Sequence, residues 1–159
     1  MTEVVRPYRG VSAEDRRGQR RTQLLGAALD VVADVGVSDA TTEAVCARAG
    51  LSKRYFYESF ADREAILVAV LDDLFERVSA AIAELIEASA DLPEDQRVRR
   101  TVEVLVRELS ADPRAARVYV EAPRHPALEQ RRLRAYDDFA QLILDEHVLN
   151  VEADESRAY

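Results

Sequence analysis

With 159 residues the chain can bury a core in one or two domains, and 48% hydrophobic with 33% charged residues is the balance of a globular protein. A formal charge of −8 excludes a protein that coats nucleic acid over its whole surface. One cysteine, Cys46, excludes an internal disulfide framework, and no run approaches a signal peptide or the ~20 apolar residues of a membrane span, so a cytoplasmic setting is expected.

Residues 1–15, with Pro7, Gly10 and scattered charges, have no apolar periodicity and are expected to form a flexible arm. Arg16, Arg17, Arg20 and Arg21 lead into helix 1, where Leu24, Leu25, Ala28, Leu29 and Val32 recur at helical spacing. Gly36 ends it, and Val35 and Val37 are expected to close that end onto the core. Helix 2 starts with Thr41 or Thr42 as N-cap and runs through Val45, Cys46 and Ala49 to Gly50. Ser52 then caps helix 3, roughly residues 53–59, after a turn of only Gly50, Leu51 and Ser52.

Helix 4 spans residues 62 to about 89, with Leu67, Leu71, Leu74, Val78, Ile82 and Leu85 on one stripe. Ile66, Val70, Phe75, Ala81 and Ile86 widen the stripe, which predicts packing on more than one side and a helix of about 40 Å. Helix 5 takes residues 94–110, with Val98, Val102, Leu105, Val106 and Leu109 expected inward. Asp112 as N-cap and Pro113 at the first helical position open helix 6, which runs to about Glu121. Pro123 and Pro126 break the chain at 122–126. Helix 7 covers about 127–149, burying Leu128, Leu133, Tyr136, Phe139, Leu142 and Ile143, and the last ten residues are expected to fray. The fold class is all-α.

Charge follows this division. Residues 1–60 hold nine Lys/Arg against eight Asp/Glu, and residues 61–159 hold thirteen against twenty-two. An acidic body with a less acidic head suits a protein whose one end meets a polyanion, although a solvated acidic surface has the same composition. The three consecutive rings Tyr55, Phe56 and Tyr57 support an outward role for this head. Neighbours on a helix point about a third of a turn apart, so three adjacent aromatics cannot share one core. Two short helices across a tight glycine turn, braced by a third, have the shape of a helix-turn-helix, whose second helix fits a major groove.

From Arg20 to Ile66 the chain resembles the TetR family of bacterial transcriptional regulators. The matching pieces are LLGAALDVVADVG, the threonine pair at 41–42, AVCARAGLS and YFYESFADREAI. The resemblance implies an N-terminal helix-turn-helix DNA-binding domain at 16–61, joined by helix 4 to an effector-binding and dimerisation body at 62–159. It implies a repressor that binds a palindromic operator in double-stranded DNA as a homodimer and is released by a small apolar effector.

The same resemblance assigns residues. Phe56 and Phe60 would hold helix 3 on Val45, Ala49 and Leu24, and Cys46 would be a packed, inert thiol. Lys53, Arg54 and Tyr55 would meet base edges or phosphates, and Tyr57 and Arg63 would reach the phosphate backbone. Thr41 and Thr42 would divide a cap and a phosphate contact, and Arg20 and Arg21 would follow the backbone or the minor groove. Tyr55 replaces a smaller residue, often threonine, which implies a different operator. Ser59 stands where a histidine is common and Glu58 where an aromatic or basic residue is common. A carboxylate there repels phosphate unless it accepts from a cytosine N4 or pairs with Arg54 at i,i+4, and the pair is the preferred expectation.

The expected effector walls are Phe75, Val102, Leu105, Leu109, Tyr119, Tyr136, Phe139 and Ile143, each also an ordinary core residue type. Family members continue with two more helices that form a four-helix dimer interface, so the expectation is either a truncated chain or a variant that dimerises through helices 6 and 7. His125 and His147 have no ligand spacing, and no phosphate loop or nucleophile elbow occurs, so no metal, cofactor or enzyme activity is expected. The competing class is a helical ligand- or protein-binding module that has lost specific DNA binding.

Overall fold

The computed structural model describes residues 12–89 and 92–157, with side chains to residue 142. Among the described residues the architecture is all-α: α1 Ala13–Val35, α2 Thr42–Ala49, α3 Lys53–Tyr57, α4 Arg63–Ala88, α5 Glu94–Ser110, α6 Pro113–Glu121, a 3₁₀ turn Ala122–Arg124, and α7 Pro126–Arg157. None of these helices is long and apolar enough to cross a membrane.

Local chemistry sets most of the boundaries. Ser12 caps α1 through a reciprocal capping box with Asp15, so the helix starts inside the stretch expected to be an arm; residues 1–11 of that arm lie outside the described residues. Thr41 accepts from the Ala44 N–H, Asp62 from Ala65 and Asp112 from Arg114, each satisfying an orphan donor of a first turn. Ser52 stands at the N-cap position of α3 but makes no side-chain cap bond. Helix 7, expected to end near residue 149, continues among the described residues as α7 to Arg157.

One core unites the head with part of the body. Leu24, Ala28 and Val32 of α1 meet Val45 and Ala49 of α2, Phe56 of α3, and Ile66, Leu71 and Leu74 of α4. Val118 of α6 and Leu128 and Ala135 of α7 complete it. A second cluster, Val78, Ile82 and Val104, joins the far half of α4 to α5. The 26-residue α4 is therefore packed at both ends, as its wide stripe requires.

Six residues expected in the core are exposed. On α5, Val98, Val102 and Val106 are more than half exposed, whereas Val104 is buried and Leu105 and Leu109 pack beside it. α5 has two adjoining apolar edges, and α4 covers only one. Val35 is 48% exposed because the chain turns away at Gly36, leaving Val37 alone to close the end. Leu133 and Tyr136 of α7 are also exposed, and the side chain of Ile143 lies outside those described.

Candidate nucleic-acid interface

The interface is built on two short helices and one left-handed glycine. Gly50 ends α2 at φ +65°, returning its N–H to the carbonyls of Cys46 and Ala47, and Leu51 donates to Cys46 at 3.0 Å. Gln23 of α1 donates to the Ala49 carbonyl at 2.7 Å and fixes the same turn from behind. Sequence reading missed Gln23, since no local pattern couples it to a residue 26 positions away.

α3 is anchored by one ring. Phe56 is fully buried, with Phe60 at 5.8 Å and the edge of Tyr57 at 5.4 Å. This places Lys53, Arg54, Tyr55 and Tyr57 on the solvent side, with Tyr57 57% and Tyr55 38% exposed. The aromatic triplet is thus divided: one ring enters the core and two stand outside. Cys46 is buried and unpaired, and burial raises its thiol pKa, which leaves little thiolate to react.

The cations of this face have acidic or aromatic partners. Lys53 donates to Glu43, and that hydrogen bond raises the lysine pKa and lowers that of Glu43. Arg54 pairs with Glu58 at 3.3 Å, the i,i+4 arrangement expected from the sequence. Glu58 also meets Arg20 at 3.6 Å, and its backbone carbonyl accepts from Arg17. Arg20 lies 4.6 Å from the Tyr55 ring centroid and Arg21 5.2 Å from that of Phe60. Ser59 is half-buried beside them.

At helix 2 the hydroxyl of Thr41 makes the cap, and Thr42, half-buried, is the first helical residue. Arg63 has a different surrounding from that of a free phosphate anchor. Its guanidinium donates to the backbone carbonyls of Val37, Ser38 and Ala40, so it clamps the loop between α1 and α2 onto the start of α4. An arginine near a helix N-terminus looks the same in sequence whether it faces phosphate or carbonyl oxygens.

A second set of charged contacts ties α6 to the head. Arg117 donates to the Ala33 carbonyl at 2.6 Å and to Glu121 at 2.8 Å, while Glu121 accepts from the Val37 N–H at 2.8 Å. Arg114 bridges Asp112 and Asp30. None of these pairs was read from the sequence, and the partners on α1 lie 84 residues from α6. The Arg117 hydrogen bond holds the Glu121 carboxyl below the ordinary value of 4.5, and the Arg114 hydrogen bond lowers Asp112 likewise. Folded-state values below the unfolded ones mean that this stability is fully present above the unfolded values and is lost as pH falls through the folded ones. The urea midpoint should hold near neutrality and drop below about pH 4.5, with a shallower drop in Glu121→Gln. Acid limbs that superimpose in the two proteins would contradict this.

Among the expected effector walls, Phe75 and Phe139 line a cleft of about 210 Å³ between α4 and α7, with Glu76, Ser79, Arg131, Ala135 and Asp138. Tyr119 stacks edge-on with Phe75 and shares a 2.6 Å hydrogen bond with Tyr136, so these rings fill space together. Leu105 and Leu109 pack toward the second cluster, and Val102 is exposed on α5. Among the described residues no group of three His, Cys, Asp or Glu side chains is placed to hold a metal ion.

This fold and face define the class: a helix-turn-helix head on an all-helical body. Residues 24–70 match the sequence profile of bacterial regulatory proteins of the tetR family. The head, residues 24–70, thus carries the N-terminal domain of the tetR family. The chain is 32% identical over 83 residues to the HTH-type transcriptional regulator BetI of Klebsiella pneumoniae (strain 342), a match covering 52% of this chain and 43% of that protein. BetI of Cronobacter sakazakii (strain ATCC BAA-894) is 32% identical over 84 residues, 53% of this chain and 42% of the relative. The match thus spans less than half the length of these relatives.

Two solved structures share the fold. The fatty acid degradation regulator FadR from Bacillus halodurans superposes with a TM-score of 0.67 at 17% identity, covering 85% of this chain and 70% of that one. The multidrug binding protein EbrR, solved with imidazole, gives 0.60 at 22%, covering 88% and 75%.

Proposed function

We propose that the protein is a one-component transcriptional regulator that binds duplex DNA through α3. One observation carries the reading: Phe56 is fully buried while its neighbours Lys53, Arg54, Tyr55 and Tyr57 are exposed on a short helix behind a glycine turn. A side chain set of two cations and two rings suits a groove and its phosphates, where a rigid phenol positions and a cation neutralises. Arg21 and Ser59 lie beside Glu58 at the edge of this surface, and Thr42 opens α2. Arg20 supports it from beneath Tyr55, and Arg63 supports it by holding the loop that precedes α2.

As a repressor, the protein would act as a homodimer on a palindromic operator, since two heads on one DNA raise the effective affinity of each. Release would follow a small apolar effector that favours a head spacing unable to fit both half-sites. The cleft beside Phe75 and Phe139 supports an effector site in the body.

The competing reading, a helical ligand- or protein-binding module without specific DNA binding, draws support from the acidic partners of Lys53, Arg54 and Arg20. A salt titration of binding to the DNA upstream of its own gene separates the two. The regulator should lose affinity linearly in log salt, with a slope near 0.9 for each phosphate neutralised. The Lys53→Ala, Tyr57→Ala double variant should bind all duplexes more weakly and with a slope smaller by about 1. Equal affinity of the intact protein for upstream and random duplex would rule out the regulator.

A further inference from the structure

Glu58 is the one acidic side chain among those α3 and its C-terminal residue present, and it stands where phosphate would repel it. Its surroundings give that misfit a role. One carboxylate oxygen lies 3.3 Å from Arg54 Nε and the other 3.6 Å from Arg20 Nη2, and the Glu58 carbonyl accepts from Arg17 Nη2. Three arginines from two helices therefore converge on one residue. Arg20 in turn lies 4.6 Å from the Tyr55 ring centroid, close enough for a cation–π contact.

The two ends of this chain of contacts differ in exposure. The Arg20 side chain is 25% exposed and that of Glu58 34%, whereas Arg54 is 84% exposed. Arg20 is thus a packed link between α1 and α3, and Arg54 is a solvent-facing cation on a tether. Removing the carboxylate would leave Arg20 without its anchor below Tyr55, and would free Arg54 for any phosphate in reach.

Resting on the DNA-binding reading above, we infer that Glu58 is a specificity-determining positioning residue. It fixes the Tyr55 ring through Arg20 and competes with DNA phosphate for Arg54 and Arg20. The carboxylate sacrifices sequence-independent affinity, because phosphates must displace it from the arginines. In exchange it holds Tyr55 in one orientation, and a pre-oriented ring discriminates among base steps better than a mobile one. Selectivity is gained at both ends: binding to arbitrary duplex is weakened, and the reading of the preferred site is sharpened.

The test is fluorescence anisotropy of the full chain on two labelled duplexes, the DNA upstream of its gene and a scrambled duplex of equal length, across a salt series. Glu58→Gln, which keeps shape and loses charge, should bind the scrambled duplex on the order of tenfold tighter near 0.1 M salt, with a log–log salt slope steeper by about 1. Its ratio of upstream to scrambled affinity should fall by about tenfold or more. Arg20→Lys keeps the charge but not the planar group over the ring, so the ratio should fall while the slope stays unchanged. Thermal melts of both variants report any loss of the fold, which would lower both affinities together.

Affinities that fall in parallel in Glu58→Gln, or an unchanged slope and ratio, would overturn the inference and leave the DNA reading intact. A wild-type protein with no preference between the duplexes would overturn the DNA reading, and this inference with it.

Discussion

Phe56→Ala should lower the free energy of unfolding by about 3–5 kcal/mol, the range for emptying a fully buried aromatic site. The ring is the only fully buried side chain of α3, and that helix has five residues, too short to hold itself by backbone bonds. Its contacts with Phe60 and Tyr57 would be lost at once, and the cavity would lie where α3 packs on α1 and α2. The adjacent Tyr57→Ala is the control. Tyr57 is 57% exposed, so its removal should shift stability by only about 0.5 kcal/mol or somewhat more through its edge contact with Phe56. Urea unfolding of the pair should therefore separate one variant that loses the head from another that keeps it. Equal midpoints would refute the division of the aromatic triplet into one structural and two outward rings.

Gly36→Ala should cost about 1–3 kcal/mol from backbone strain alone, because φ +83° and ψ 168° lie in a region essentially confined to glycine. A second cost comes from space. An added Cβ would stand 3.1 Å from Arg117 Nη2 and 3.3 Å from Glu121 Oε2, against the pair that joins α6 to the end of α1. Arg117→Ala would remove one of those neighbours, so the double variant should be less destabilised than the two single effects added. Gly50 is the comparison: φ +65° and ψ 27° are left-handed helical, and nothing lies within 4 Å of an added Cβ. Gly50→Ala should cost only about 1–2 kcal/mol. Denaturation midpoints for these variants check both the strain and the crowding, and additive behaviour of Gly36→Ala with Arg117→Ala would refute the second.

Joining α6 to α1 gives the body a mechanical grip on the head. Arg117 holds the Ala33 carbonyl, Glu121 holds the Val37 N–H, and Arg63 holds the carbonyls that follow. The segment from Ala33 to Ala40 is thus fixed by charged side chains from two body helices. In the proposed regulator, a shift of α6 or α4 would be felt at α2 through this segment.

Much of the fold was legible in the sequence because the relevant interactions are short-range. A cap needs its hydroxyl or carboxylate within three residues of the N–H it serves, as Thr41 and Asp112 illustrate. Gly36 and Gly50 marked helix ends because positive φ is rarely adopted by other residues. The stripe of α4 and the burial of Phe56 and Phe60 followed from periods of three and four residues. The Arg54–Glu58 pair was legible for the same reason.

Only the tertiary structure decided which of several chemically equal partners each side chain takes. Val98, Val102 and Val106 have the periodicity of a buried face, yet α4 covers the neighbouring edge with Val104, Leu105 and Leu109. Arg63 meets carbonyls of a loop 23 to 26 residues earlier, and Glu58 gathers arginines from α1 as well as its own helix. Periodicity and caps are fixed by neighbours along the chain. The choice of face, and the partner of a long charged side chain, are fixed by whatever packing brings within reach.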